Sequence, residues 1–313
     1  MIAEKASAAP GARGPIRIGL MSDLHNEFEI AQQLRLEARA RMGESSVVAE
    51  ALRLRTELRL ESGHPDRGPD LRQLKVASPD FLLMPGDIEG GAFAVQYADA
   101  AASYLGCSVL CISGNHEAYH RDLPTVLAEL RTAVAATESR ARFLEMDRVD
   151  FNVGGRRVAI LGAALWTDYA LTGAVGSSMI RASQALNDHH LIRNGGDVFR
   201  TVDALEIHRK TVAWLSVEVP RARSDSDVVI VMTHHAPIPD AIPPKYQGND
   251  LSPAFASDLR EQIKKWRPDV WVWGHTHHSM QTILGRTLLV SAQRGYIGVE
   301  PGAEAFVPVV VEI

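Results

Sequence analysis

The chain has 313 residues, of which 46% are hydrophobic and 23% charged, and its formal net charge is −5 at neutral pH. This composition is that of an ordinary globular protein and excludes the disordered and fibrous classes. An acidic chain offers no strong positive field for nucleic acid or for an anionic membrane surface, so long DNA is a poor expectation as a partner. Composition thus bounds the class of protein without indicating a function.

Residues 1–14 are rich in Ala, Gly and Pro and lack the uninterrupted apolar stretch of a secretory signal. This predicts a flexible N-terminus before one domain that spans 15–313. No apolar run approaches the roughly 20 residues that span a bilayer, so no membrane partner is expected. The two cysteines, Cys107 and Cys111, lie on one predicted strand, about 13 Å apart and too far for a disulfide. These features favour the cytoplasm.

Short runs of β-branched and apolar residues recur along the chain and predict strands. In chain order the clearest runs are 16–21, 81–84, 109–112, 158–165, 228–232, 270–273 and 287–290, with 145–153 and 305–313 as further candidates. Most of them alternate with helical patterns or loops, which favours an α/β fold with helices on the outer faces of the sheet. The number of strands fits two sheets packed together.

Residues 27–75 differ in character, because they are rich in Arg, Glu and Leu and show the spacing of two amphipathic helices. Ile30, Leu34 and Ala38 mark the apolar face of the first helix, and the second covers about 47–58. We interpret the segment as a helical insertion in the domain. It is either a solvent-exposed helical insertion of mixed charge, or a lid or dimerisation arm through which an oligomer could form.

Polar motifs follow five of the predicted strands, at the point where each strand ends. Seven of the twelve histidines lie in them. In open α/β sheets, ligands bind in the crevice outside the carboxyl ends of the strands, so position and residue type agree. The motifs are SDLH at 22–25, PGD at 85–87, SGNHE at 113–117, THHAP at 233–237 and WGHTHH at 273–278.

The spacing within the motifs suits metal binding. Residues i and i+2 of an extended segment point to the same side, so Asp23 with His25, and His275 with His277, are expected to deliver two donors each into one cleft. The motif glycines let the backbone approach a bound ion closely. Imidazole, carboxylate and amide donors without thiolate favour manganese, iron, zinc or nickel over a closed structural zinc site. One such motif alone would be weak, but five at strand ends indicate a metal centre.

Together the motifs resemble those of the calcineurin-like metallophosphoesterase superfamily. That likeness implies a four-layer αββα sandwich, with two mixed β-sheets flanked by helices, and two divalent or trivalent metal ions. It extends from Ile16 to Tyr296 and is interrupted by the insertion at 27–75. It also implies seven metal ligands: Asp23, His25 and His277 on the first metal, Asn115, His234 and His275 on the second, and Asp87 bridging the two.

Three further stretches, 165–169, 186–188 and 294–296, are similar to a bacterial branch of that superfamily whose substrates are mostly unassigned. After Asp87 the chain lacks the Asp-Arg pair of protein serine/threonine phosphatases and the Tyr of purple acid phosphatases. The residues before Arg294 also depart from the Asn-Pro that is usual in the branch, so 294–296 receives no role.

The resemblance implies a binuclear-metal-dependent phosphoesterase, which hydrolyses a phosphodiester or phosphomonoester by attack of a metal-bridging hydroxide. His116, next to Asn115, is expected to protonate the leaving group or to contact the phosphoryl oxygens. Glu117 either orients His116 or is a surface carboxylate. His235 and Asp188 are expected to support these residues or to contact the substrate. Net charge favours a small or nucleotide-like phosphate ester.

Two alternatives stay open. The first is a non-catalytic metal-binding scaffold of the same fold that serves protein interaction, although such a protein would be expected to lose ligands. The second is a nuclease, against which the acidic net charge and the lack of a basic patch with interleaved aromatic residues count. Neither a Gly-x-Ser-x-Gly turn nor a Gly-rich phosphate loop occurs, so metal chemistry is the main expectation.

Overall fold

The computed structural model of the chain describes residues 14–41, 59, 61–137 and 140–313. Its strands are β1 Arg17–Leu20, β2 Phe81–Met84, β3 Ser108–Cys111, β4 Ala141–Phe143, β5 Asp147–Val153, β6 Arg156–Ala163, β7 Arg193–Asn194, β8 Asp197–Val198, β9 Val228–Thr233, β10 Val270–Val272, β11 Met280–Leu284, β12 Thr287–Ser291 and β13 Val309–Glu312. Its helices are α1 Asn26–Arg41, α2 Arg72–Ala77, α3 Phe93–Leu105, α4 Leu123–Ala136, α5 Val175–Ala185, α6 Asp188–Leu191, α7 Thr201–Asp225 and α8 Arg260–Trp266. Each predicted strand is found within a few residues of its expected place.

The strands form two large mixed sheets. The first has the order β13-β1-β2-β3-β4, in which β13 alone runs antiparallel to its neighbour. The second has the order β11-β12-β10-β9-β6-β5, with a parallel centre and antiparallel strands at both edges. In each sheet the parallel strands therefore end on the same side, which gathers the loops that follow them.

Side-chain alternation along the central strands builds the layers. Leu83 and Ile230 point into the core between the two sheets, where Ile18 and Val272 also lie. Their neighbours point the opposite way, as the pleat of a strand requires: Leu82 packs under the helices of the first sheet, and the second sheet is covered by α7 and α8 in the same manner. The predicted αββα sandwich of two sheets flanked by helices is confirmed.

The insertion is described only in part. Helix α1 coincides with the first predicted helix, whereas the second, at about 47–58, lies outside the described residues, as does the predicted flexible N-terminus except for Gly14. A buried ion pair anchors the start of α1, because Arg294 Nη2 lies 3.0 Å from Glu29 Oε2. The roles of lid and dimerisation arm stay predictions.

Two smaller expectations concern cysteine and the membrane. Cys107 and Cys111 are both buried and free, as predicted. Among the described residues there is no helix whose length and apolar character would suit it to cross a bilayer. The cytoplasmic location stays a prediction.

Candidate metal centre

All seven predicted ligands meet where the two sheets end. The loops after β1, β2 and β3 of the first sheet face those after β9 and β10 of the second. Six of the ligands form two groups, and within each group the donor atoms lie within 4.8 Å of one another: Asp23, His25 and His277 in the first, and Asp87, His234 and His275 in the second. Asn115 joins the second group, because its Oδ1 lies 3.0 Å from His234 Nε2. The residues are thus placed as a metal centre requires.

Asp87 lies between the two groups. Its Oδ2 is 3.7 Å from Nε2 of His25 in the first group and 3.5 Å from Nε2 of His234 in the second. Its Oδ1 accepts a hydrogen bond from the backbone N–H of His116 at 2.9 Å. One oxygen of this carboxylate is therefore fixed by the backbone, while the other faces both groups.

Hydrogen bonds orient the imidazole rings. His234 Nδ1 donates to the carbonyl of Pro85 at 2.8 Å, and His277 Nδ1 donates to Glu300 Oε2 at 2.8 Å. Because these oxygens only accept, Nδ1 of each ring carries a proton, and Nε2 is the nitrogen that faces the centre and would bind a metal ion after losing any proton of its own. Carboxylate and carbonyl partners of this kind commonly hold the tautomer of a metal-binding histidine.

The donor set fits metal ions. Nε2 of His25 lies 3.0 Å from Nε2 of His277, where two lone pairs repel each other unless a cation or proton intervenes. In addition, Nε2 of His275 is buried without a hydrogen-bond partner. A buried polar atom in a donor cluster is best explained by a ligand that completes it.

The charges of the centre also suit cations. Although burial opposes the charged form, the carboxylates of Asp87 and Asp23 raise the pKa of His234 to about 10. Burial, followed by the nearby His235 and His234, lowers the pKa of His275 well below its usual value, which leaves that ring neutral and able to donate a lone pair. The negative charge that holds a proton on His234 would equally hold a metal ion in its place.

The backbone at these positions is left-handed, and the expectation of extended i, i+2 pairs is wrong. The φ angle is 51° at Asp23, 46° at His25, 52° at Asp87, 70° at His275 and 48° at His277. Such angles cost residues other than glycine roughly 1–3 kcal/mol each and persist where the surroundings impose them, often at functional sites. Tight turns after the strands, and not an extended pleat, bring the paired donors together.

Two glycines allow the loops to come close, as expected. A Cβ atom on Gly114 would lie 2.1 Å from Asp87 Oδ1, and one on Gly86 would lie 2.6 Å from the backbone nitrogen of Gly114. Gly86 also has a φ of 83°, which residues with a side chain rarely adopt. Any larger residue at either position would push the Asp87 loop away from the Asn115 loop.

Glu117 differs from both of its predicted roles. The side chain is fully buried, and its carboxylate accepts hydrogen bonds from the backbone N–H groups of Asp87 at 3.2 Å, Ile88 at 2.8 Å and Gly114 at 2.7 Å. Burial, together with the Asp87 carboxylate, raises its pKa to about 8. Neighbouring residues on a tight turn point in different directions, so Glu117 ties two loops together and does not orient the His116 ring.

The carboxylate beside His116 comes from the insertion instead. Glu27 Oε1 lies 3.1 Å from His116 Nδ1 and 3.3 Å from His25 Nδ1, and Tyr296 Oη lies 3.0 Å from His116 Nε2. Although burial opposes the protonated form of the ring, Asp87 and Glu27 raise the pKa of His116 to about 9. The sequence analysis missed Glu27, because the residues around it show only the spacing of a helix. It gave Tyr296 no role, although the 294–296 motif contains it.

Asp188 supports the second group of donors. Its Oδ1 accepts hydrogen bonds from Asn115 Nδ2 at 2.8 Å and from Tyr119 Oη at 2.8 Å. The amide nitrogen of Asn115 is thereby held away from the centre, which turns its oxygen toward His234. Asp188 also lines the cavity that opens onto the centre.

His235 lies behind the centre and does not line the cavity. Its ring is 4.0 Å from that of His275 and 4.9 Å from that of Trp166, measured between ring centroids. Burial, followed by His234, lowers its pKa well below the usual value, so the ring is neutral. It packs against a candidate ligand and has no access to a substrate.

Comparison with known proteins identifies the family and supports the fold. Residues 16–279 match the model of the calcineurin-like phosphoesterase family. The phosphopantetheinyl hydrolase of Mycobacterium tuberculosis has a similar fold, with a TM-score of 0.58 and 14% identity over 96% of this chain and 97% of that one. An uncharacterised protein of Acanthamoeba polyphaga mimivirus is 23% identical over 238 residues, which are 69% of this chain and 78% of its own. The chain belongs to the calcineurin-like phosphoesterase family and is a metal-dependent phosphoric ester hydrolase.

Proposed function

We propose that this protein is a binuclear phosphoesterase that hydrolyses a phosphodiester or phosphomonoester of a small molecule. The supporting observation is the Asp87 carboxylate, whose Oδ2 lies within 3.7 Å of a histidine from each donor group. The proposed ligands are Asp23, His25 and His277 for the first metal, Asn115, His234 and His275 for the second, and Asp87 for both.

The residues around the donors would supply a proton and hold the ligands in their orientations. When bound, two such metals act as Lewis acids toward water and toward the phosphoryl oxygens. His116 Nε2 would donate its proton to the departing oxygen, from the position where it now contacts Tyr296 Oη. Glu27, at 3.1 Å from Nδ1, would stabilise the charged ring before that transfer. Glu300 and Asp188 would hold His277 and Asn115 in their orientations.

The two alternatives are less well supported. A scaffold without catalysis has no need of a proton donor beside the centre, and His116, with Glu27 at 3.1 Å from its Nδ1, suits that role. A nuclease would need a positive surface to hold the phosphate backbone, whereas the net charge is −5. A small phosphate ester is therefore the proposed substrate.

The proposal is tested by measuring metal and turnover together. The purified protein should bind about two metal ions per chain, and it should hydrolyse an aryl phosphodiester or the corresponding monoester when manganese, iron, zinc or nickel is supplied. Comparing the two esters decides between the diester and monoester forms of the proposal. A protein that binds no metal and turns over neither ester with any of these ions would refute it.

A second prediction concerns Asp188. Replacing it by Ala removes the acceptor that holds the Asn115 amide, so we expect the affinity for one metal to fall about 10- to 100-fold, as is typical when a residue that orients a metal ligand is lost. Isothermal titration calorimetry with the metal ion measures this affinity. Asp197→Ala, on the exposed strand β8 outside the cavity lining, is the matched control. Equal metal affinity in both variants would contradict the orienting role.

A further inference from the structure

The cavity over the candidate ligands has an apolar wall. Its volume is about 430 Å³. The segment between β9 and α8 forms this wall and contributes Ile242, Leu251 and Phe255. Ile242 is 4% exposed, and the Phe255 ring stacks on that of His275 with centroids 5.0 Å apart. The wall is therefore built into the fold and lies directly beside the proposed metal ligands.

Apart from His116, which lies beside the metal centre, the rest of the lining is neutral or acidic. Among the described residues that form it, there is no Lys or Arg. Asn187 and Asn249 add neutral polar groups, whereas Asp188 and Glu300 add carboxylates. The side chain of Lys245 comes near, with Nζ 4.7 Å from the centroid of the Tyr246 ring, but Lys245 does not line the cavity. Away from the metal centre and the adjacent His116, a second anionic group would thus find carboxylates and no cation.

These observations restrict the substrate, provided that the proposed function holds. A phosphate buried against carboxylates and apolar carbon without a counter-charge is strongly disfavoured. An apolar group on the same wall gains stability in proportion to the area that it buries. We infer that the substrate carries one phosphoryl group, which lies at the metals, and that its organic group is uncharged and apolar and packs on Ile242, Leu251 and Phe255.

A series of diesters with a common leaving group tests the inference. The 313-residue chain, loaded with manganese, would be assayed with 4-nitrophenyl phosphodiesters whose second ester group is methyl, ethyl, butyl or 2-phosphoethyl. We expect kcat/KM to rise up to about fourfold for each added methylene, in line with the free energy of burying one. The 2-phosphoethyl ester should react at least about tenfold more slowly than the ethyl ester.

A pair of variants localises the effect. Leu251→Lys places a cation in the apolar wall, so the advantage of the butyl over the methyl ester should disappear and the 2-phosphoethyl ester should gain on the ethyl ester. Ile283→Lys makes a comparable change at a side chain that is 71% exposed on β11, outside the cavity lining, and should keep the profile of the parent protein. An unchanged profile in Leu251→Lys would overturn the assignment of the wall.

The outcomes separate the two proposals. If the metal-loaded protein hydrolyses none of the esters, nor the corresponding monoester, the proposed function fails and the substrate inference with it. If it hydrolyses the diesters at equal kcat/KM, or prefers the 2-phosphoethyl ester, the function stands and the inference is wrong. Only a rate that rises with apolar size and falls with the second charge supports both.

Discussion

Replacing Asp87 by Ala is expected to lower the metal content from about two ions per chain to one or none, and kcat/KM by at least about a thousandfold. The physical reason is the position of Oδ2, 3.7 Å from His25 Nε2 and 3.5 Å from His234 Nε2. Removing this carboxylate takes negative charge from both donor groups at once, and it also takes the acceptor from the His116 backbone N–H. Elemental analysis of the purified variant and steady-state kinetics measure the two effects.

The controls separate the bridging role from a loss of stability. Asp87→Asn keeps the size of the side chain and removes its charge, so it should lose metal nearly as fully as the Ala variant. Asp122 also carries out a structural task, since its carboxylate accepts the N–H of Thr125 at the start of α4. Asp122→Ala should cost about 1 kcal/mol of folding stability and keep both metals. Two full metal sites in Asp87→Ala would contradict the bridging assignment.

Replacing His116 by Ala is expected to leave the metal content unchanged and to lower kcat about 10²- to 10⁴-fold. The ring stands beside the centre with Glu27 on Nδ1 and Tyr296 on Nε2, which suits proton transfer. The loss should be smaller for a substrate with a good leaving group, such as 4-nitrophenol, than for an alkyl ester, because a stable anion needs less help from an acid. Kinetics on both kinds of ester check this.

A neighbouring histidine provides the control. His120→Ala alters an exposed ring outside the cavity lining and should leave metal content and kcat as they are. Glu27→Gln should reduce kcat less than His116→Ala, since it weakens the support of the ring without removing it. His25, Glu27 and His116 could themselves hold an ion, as their donor atoms lie within 4.8 Å of one another. Loss of one metal in His116→Ala would establish that role in place of proton donation.

Part of the centre was predictable from the sequence, because it depends on local order along the chain. A run of apolar residues predicts a strand, and in parallel sheets the residues after each strand gather at one edge. Asp23, Asp87 and His234 could therefore be expected to meet. The alternation of strands and helices predicted an α/β fold, the number of strands fitted two packed sheets, and the four-layer αββα arrangement was implied by the family resemblance.

The tertiary structure decided which side chains support that centre. Glu27 comes from a helix whose pattern indicates only amphipathicity, and Glu300 comes from a segment without a motif, yet both bond histidines of the centre. Glu117 was placed beside His116 by sequence, but a tight turn directs its carboxylate to three backbone N–H groups.

Strand-end motifs thus indicate the candidate metal donors of this protein, because hydrophobic periodicity and residue type are properties of neighbouring residues. The contacts of Glu27 with His116 and of Glu300 with His277, and the position of the apolar wall with Leu251, arise between segments that are separated along the chain. Such contacts depend on how the two sheets pack, and no pattern within a single segment encodes that packing.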